Sequence, residues 1–305
     1  MAAQLPTDVL RYVGQVFRQC NRRICRKLAA VPNVAEPSLD MTFVEHLTQY
    51  SSPIVLSSDW IVRIDTHYLG GLRHFYRWEI ADIGVLIFFR RAGRVIRRKV
   101  ALLQSKRLYP TNSDINDETA VDYKIGFAHL ATDDSVAPLG LRRQFNFDED
   151  CRYSALKVGD EQYSAIQEYE KSKNIPVHYL FYDPWNVPST YTLPLTTPPV
   201  LKGTGNGGCR VLPYRILADS LSGRPDGFSP RLTDVGGLLS GGARHHYGWK
   251  LEHFVAQLLL RCKEGRIFTG SQDEDIQSLF FRRSGPIAAA ISVSVEMPES
   301  AEFEQ

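Results

Sequence analysis

The stretch Trp78 to Leu108, WEIADIGVLIFFRRAGRVIRRKVALLQSKRL, constrains this chain more than any other. Two runs dense in Ile, Val, Leu and Phe flank RRAGR, where Gly93 suits the positive backbone angles of a tight turn. They read as two long antiparallel strands, the first beginning upstream at His74. Ahead of them WIVRIDTHYL, Trp60 to Leu69, has the same β-branched and aromatic character, and Gly70 and Gly71 follow as a turn. The expected arrangement is a meander of three antiparallel strands.

Helical periodicity surrounds this region. Val9, Leu10, Val13, Phe17, Cys20, Ile24 and Leu28 predict an amphipathic helix from Thr7 to about Val31, its second half crowded with Arg18, Arg22, Arg23, Arg26 and Lys27. Pro32 and Pro37 then break the chain, and a short helix from Thr42 to about Tyr50 carries Glu45. Tyr109 to about Lys157 is irregular and polar. Asp160 to Lys173 reads as a helix stopped by Asn174 and Pro176, and VHYLFYD, Val177 to Asp183, as a buried strand. A Gly-rich excursion covers 194–248, an amphipathic helix runs from Trp249 to about Lys263, and a short helix near Asp273–Phe281 precedes a strand IAAAISVSVE. The class is α/β, a mixed sheet with an antiparallel meander flanked by helices. The chain reads as a single domain: a basic N-terminal helix (1–40), a core (41–193), the Gly-rich excursion, and C-terminal helices with a strand (249–296).

Lys and Arg number 36 against 34 Asp and Glu, a net charge of only +2, so a nucleic-acid partner has to be argued from local charge. There is no run of about eighteen apolar residues, so no membrane span is expected, and the first residues lack the short apolar core and cleavage site of a secretory signal. Five cysteines without a CxxC pair make neither a disulfide framework nor a zinc site, so the setting expected is reducing and cytoplasmic. Gly203 to Gly208 matches GxGxxG, but CRVLPYRIL after it reads as a strand and not a helix, so it is a loop. His245 and His246 lack partners for a ligand set.

The chemistry follows from the hairpin register. With the turn centred on Gly93, facing residues sum to about 186, so Asp82 faces Gln104, and Lys106 projects from the same face as Gln104. An acid, an amide oxygen and an ammonium then meet at one end of a sheet. That trio suits metal-assisted phosphodiester hydrolysis: the two oxygens hold Mg²⁺ or Mn²⁺, and the lysine orients a water or stabilises developing charge. Glu79, three residues before Asp82, is the alternative metal ligand.

The pattern resembles the PD-(D/E)XK, or restriction-endonuclease-like, nuclease superfamily, which places an acid on one strand and (D/E)-x-K on its neighbour. Asp82 stands for the first acid and Gln104-Ser105-Lys106 for the second element. Gln104 replaces the usual carboxylate, and in this the chain is similar to the Q-x-K variant of Mrr-like restriction and defence nucleases. Glu45 looks like the acid that such proteins carry on the helix before the sheet. The helix after Asp160 and the strand Val177–Asp183 resemble the next elements of the αβββαβ core, so the resemblance covers roughly Met41 to Asp183. It implies a restriction-endonuclease-like fold and a Mg²⁺- or Mn²⁺-dependent endonuclease acting on DNA in preference to RNA. It further implies a role in prokaryotic defence, with a regulatory partner or a homo-oligomer to control it.

Local charge points the same way. Arg90, Arg91, Arg94, Arg97, Arg98, Lys99, Lys106 and Arg107 lie in one hairpin with no acid from Leu86 to Arg107. Such a cluster neutralises phosphates, and the basic N-terminal helix adds to it.

Overall fold

A computed structural model describes residues 5–69, 79–112, 143–193, 195, 197–201, 207–240, 247–268, 274–280 and 285–301. Residues 74–78 of the expected second strand, most of the polar stretch (113–142), Gly203 to Asn206, and His245 and His246 lie outside the described residues.

Helices α1 (Thr7–Ala30) and α2 (Glu36–Thr48) open the chain. A short β1 (Ile54–Val55) leads into β2 (Ile61–Tyr68), followed by the hairpin strands β3 (Ala81–Arg91) and β4 (Arg94–Arg107). Then come β5 (Thr111–Asn112), β6 (Arg143–Phe147), α3 (Glu161–Lys173), β7 (Val177–Tyr182) and β8 (Ser189–Leu193). Next are β9 (Arg210–Pro213), α4 (Tyr214–Ser220), α5 (Leu232–Leu239) and β10 (Trp249–Lys250). Helix α6 (Leu251–His253) widens into a π-helix over Phe254–Leu259, and β11 (Arg266–Phe268), α7 (Glu274–Phe280) and β12 (Ile287–Met297) complete the set.

The main sheet is mixed and has nine strands, ordered β1-β2-β12-β3-β4-β7-β9-β10 with β11 paired to β4; β5, β6 and β8 form a second, three-stranded sheet. Among the described residues no helix is long and apolar enough to cross a membrane.

The expected three-strand meander is not formed. Strand β12 lies between β2 and β3, antiparallel to the first and parallel to the second. The burial of the strands gives the reason. From Ile287 to Val295 β12 is an apolar or small-residue run largely buried on both faces, which is how a central strand reads. β2 alternates, with Arg63 and His67 exposed, and suits a position near the sheet edge.

Strands β3 and β4 do pair as a hairpin, through a two-residue turn in which Ala92 (φ 49°) and Gly93 (φ 74°) both take positive angles. That turn alone would pair residues summing to 185, as Arg91 and Arg94 do. A bulge skips Ile96, so Phe89 faces Arg97 and Ile83 faces Leu103, a sum of 186. The bulge thus aligns the far end of the hairpin so that Asp82 stands opposite Gln104.

Alternate residues of these strands feed two cores. Ile83, Val85, Ile87 and Phe89 pack with the apolar stripe of α1 and with Leu39, Phe43 and Leu47 of α2. Leu86, Val100 and Leu102 face the other way, onto Ile166 and Tyr169 of α3 and residues of α4 and α5. Helix α3 is N-capped by Asp160, whose Oδ1 accepts from Tyr163 N at 2.7 Å, and ends at Asn174 in the left-handed region (φ 51°). It leads into β7, which pairs parallel with β4, as a βαβ crossover requires.

Three further expectations are corrected. Pro37 does not break the chain but sits in the first turn of α2, where its missing N–H costs nothing, so that helix starts at Glu36 rather than Thr42. The segment CRVLPYRIL is strand only to Pro213, after which Tyr214 begins α4. Trp249 and Lys250 pair with β9 before α6 starts, so the helix expected from Trp249 is shorter and partly π-type.

Candidate functional site

Strand pairing assembles the site at the end of the hairpin away from its turn. Asp82 Oδ2 accepts from Gln104 Nε2 at 2.7 Å and from the Ser105 backbone N–H at 2.6 Å. Gln104 and Lys106 share one face of β4, and Lys106 Nζ donates to Gln162 Oε1 of α3 at 3.2 Å. Ser105 projects to the other face, towards α2, where its hydroxyl donates to Asp40 Oδ1. The Tyr182 hydroxyl donates to the same Asp40 oxygen at 2.7 Å.

Helix α2 supplies two acids one turn apart, Glu36 and Asp40, an i,i+4 pair on one helix face. Glu36 Oε2 accepts from the Arg107 backbone N–H at 2.8 Å, and Glu36 Oε1 lies 3.5 Å from Lys106 Nζ. Glu45, the residue expected in this role, is exposed on α2, and its backbone carbonyl accepts from Thr48. It stands five residues past Asp40, about 140° around the helix, and cannot share that face. The helix acids that stand beside Asp82 and Lys106 are therefore Glu36 and Asp40. The E-x-x-x-D spacing was the available signal, hidden by reading Pro37 as a breaker. Glu79 contributes its backbone carbonyl, which accepts from Gln162 Nε2 at 3.3 Å.

Burial dominates the electrostatics. It raises the carboxyl of Asp82 above its ordinary range, against the pull of Lys106. Burial and then the charge of Asp82 hold Asp40 well above that range. Glu36 is raised by burial, with Lys106 opposing and Asp82 adding to it. Three acids share one ammonium in this enclosure, and a cation entering it would favour their ionised forms.

Within this cluster one amide oxygen is left over. Gln104 is 2% exposed, its amide nitrogen is engaged by Asp82, and its Oε1 is buried without a hydrogen-bond partner. A buried oxygen so placed costs about 1–3 kcal/mol until something donates to it or binds it. With the amide turned so that Oε1 in place of Nε2 faced Asp82, the two oxygens would make a set that leaves most of an octahedral Mg²⁺ shell to water and phosphate. Among the described residues no three His, Cys, Asp or Glu side chains form a metal-binding group.

The basic hairpin divides into two parts. Lys99 and Arg107 were expected at a phosphate-binding surface, but both are fully buried. Lys99 Nζ donates to the Leu259 carbonyl at 3.2 Å, and burial lowers its pKa to about 8. The Arg107 guanidinium donates to the carbonyls of Pro32, Val34 and Leu108 and stacks 4.2 Å from the Tyr109 ring centroid. These two hold the α1–α2 loop and the π-helix to β4. Arg90 and Arg91 donate to the carbonyls of Gly93 and Ala301. Arg94 is exposed, while Arg97 and Arg98 are half-buried. From Arg94 to Gln104 is ten residues of strand, about 33 Å, so the hairpin tip is remote from Asp82.

Fold and site thus define a mixed α/β protein with a carboxylate, amide and ammonium cluster at one end of its main sheet. Comparisons with protein-family models, with curated proteins and with solved structures each returned no match.

Proposed function

We propose that this chain is a metal-dependent nuclease with a restriction-endonuclease-like core that hydrolyses phosphodiester bonds, most directly as a Mg²⁺- or Mn²⁺-dependent DNA endonuclease. The observation that carries the reading is the orphaned Gln104 Oε1 beside Asp82, with Lys106 on the same strand face. The order β3-β4-α3-β7, with β7 parallel to β4, supports the core assignment.

Asp82 and Gln104 would hold the cation, which when bound supplies Lewis-acid stabilisation of the phosphate and a water of lowered pKa. Lys106, 3% exposed, would place its ammonium where negative charge develops. Glu36 and Gln162 position that ammonium from two sides. Asp40 acts through Ser105 and Tyr182, whose hydroxyls it holds, and so fixes β4 and β7 beside Asp82. A role in defence against foreign DNA, under a regulatory partner or in a homo-oligomer, extends the same reading by analogy alone.

The test is cleavage of plasmid and oligonucleotide substrates with EDTA controls. Lys106→Ala and Asp82→Asn should each abolish Mg²⁺-dependent cleavage while keeping a cooperative melt, and full activity in both would sink the assignment. A second reading, a nuclease-fold subunit that binds nucleic acid without cutting it, is favoured by one observation: among the described residues no three acids, histidines or cysteines make a metal set. Failure of Mn²⁺ to bind the wild type would select it.

A further inference from the structure

Helix α1 carries a feature that the carboxylate site does not use. Arg11, Arg18, Arg22 and Arg26 are all exposed, and spacings of seven, four and four residues put them on one ridge, opposite the buried stripe. The sole acid of the helix is Asp8, and its oxygens are taken by Ser57 and Ser58 at 2.8–3.0 Å.

The direction of α1 matters. Ser57 and Ser58 precede β2, whose Ile61 faces Glu296, which in turn faces Arg90 near the hairpin turn. The helix therefore starts at the hairpin-tip end of the sheet. It finishes at the carboxylate end: Lys27 Nζ donates to Thr42 Oγ1 of α2 at 2.8 Å, and the carbonyls of Pro32 and Val34 hold Arg107. Its 24 residues span about 36 Å, the length of the sheet.

A second element borders the ridge. A groove of about 380 Å³ separates α1 from Lys250–Gln257, floored by Leu10, Gly14 and Ala256. Lys250 and His253 stand exposed on its far bank. Glu252, the acid that lines it, is bound by Asn21 Nδ2 at 3.2 Å and lies 3.6 Å from Arg18 Nε, so its charge is offset.

We propose that this arginine ridge, with Lys250 across the groove, is the surface along which a phosphodiester backbone lies, in place of the hairpin tip; that the backbone leads into the carboxylate site rests on the nuclease reading above. At the tip, by contrast, Glu296 Oε1 accepts from Gly93 N at 2.7 Å and brings an acid among the arginines.

The experiment measures binding apart from cutting. Fluorescein-labelled 20-base-pair DNA, single-stranded DNA and RNA are titrated with the full chain in EDTA, and anisotropy is read across a salt series. The variant Arg11→Ala/Arg22→Ala/Arg26→Ala should melt like wild type, lose about tenfold or more in affinity, and flatten the log K against log salt slope by about three. Arg94→Ala/Arg98→Ala should stay within about twofold of wild type. Unchanged affinity and slope in the ridge variant, an equal loss in the tip variant, or no binding of any nucleic acid by the wild type overturns the proposal. Displacement by polyglutamate as readily as by unlabelled DNA would assign the ridge to an acidic protein partner and also overturn it. Mg²⁺-dependent cleavage is scored separately. Ridge-dependent binding without cleavage refutes the nuclease reading and keeps the ridge; cleavage with ridge-independent binding does the reverse.

Discussion

Replacing Gln104 separates a metal ligand from an ordinary strand residue. In the absence of a cation its side chain has two opposed effects. The Nε2 donor to the Asp82 carboxyl is worth about 1.5–3 kcal/mol, and the unsatisfied Oε1 costs about 1–3 kcal/mol. Gln104→Leu removes both and keeps the Ser105 N–H on Asp82, so its metal-free stability should stay within about 1–2 kcal/mol of wild type. With metal the variants diverge. Mn²⁺ at one hundred times its dissociation constant stabilises a protein that binds it by about 2.7 kcal/mol, which raises the melting temperature of a chain this size by about 5 °C. Wild type should show that rise, and Gln104→Leu should show little of it and no cleavage. Gln104→Glu loses the donor and adds a like charge beside Asp82, so it should melt lowest without metal and gain most from Mn²⁺. Melting curves across a Mn²⁺ titration, with plasmid cleavage in parallel, read all three. A Gln104→Leu protein with the wild-type metal shift and wild-type activity refutes the ligand assignment and most of the case for an enzyme.

Three other substitutions probe the surroundings. Asp183 is fully buried, accepts from the Tyr153 hydroxyl at 2.7 Å, and is raised to about 7 by burial, against the Tyr153 hydrogen bond and the Arg210 charge. The folded chain therefore keeps this proton from about pH 4 to pH 7 while the unfolded chain releases it, so the residue's contribution to stability falls across that window by about 4 kcal/mol and is level above it. Asp183→Asn should flatten the fall in urea midpoints between those pH values, and an unchanged slope would refute the buried-proton account. Glu45→Ala should leave cleavage unchanged and stability within about 0.5 kcal/mol, whereas Glu36→Gln, which removes the charge facing Lys106, should lower the cleavage rate at unchanged substrate affinity; equal loss in both would return the helix acid to Glu45.

The chain's own sequence determined what depends on neighbours along it. Two apolar runs and a period of two were enough to pair the hairpin and to put Lys106 on the Gln104 face, whereas setting Asp82 against Gln104 also took the bulge at Ile96, because the Ala92-Gly93 turn alone pairs residues summing to 185. The end signals Asp160 and Asn174 were enough to bound α3 and start β7. These are local effects: a turn and a cap act within a few residues. Tertiary packing decided the rest. Whether β2 or β12 takes the free edge of β3 turns on which strand can bury both faces, and β12 lies some two hundred residues away in sequence. Whether Lys99 and Arg107 meet solvent or backbone carbonyls depends on the π-helix and the α1–α2 loop that pack over them, so their charge told nothing of their place. Likewise Glu36 and Asp40 became site residues only when α2 docked with that face towards Lys106 and Ser105. Burial is a property of the assembled chain, and it chooses among the many charged residues those few that face one another away from water.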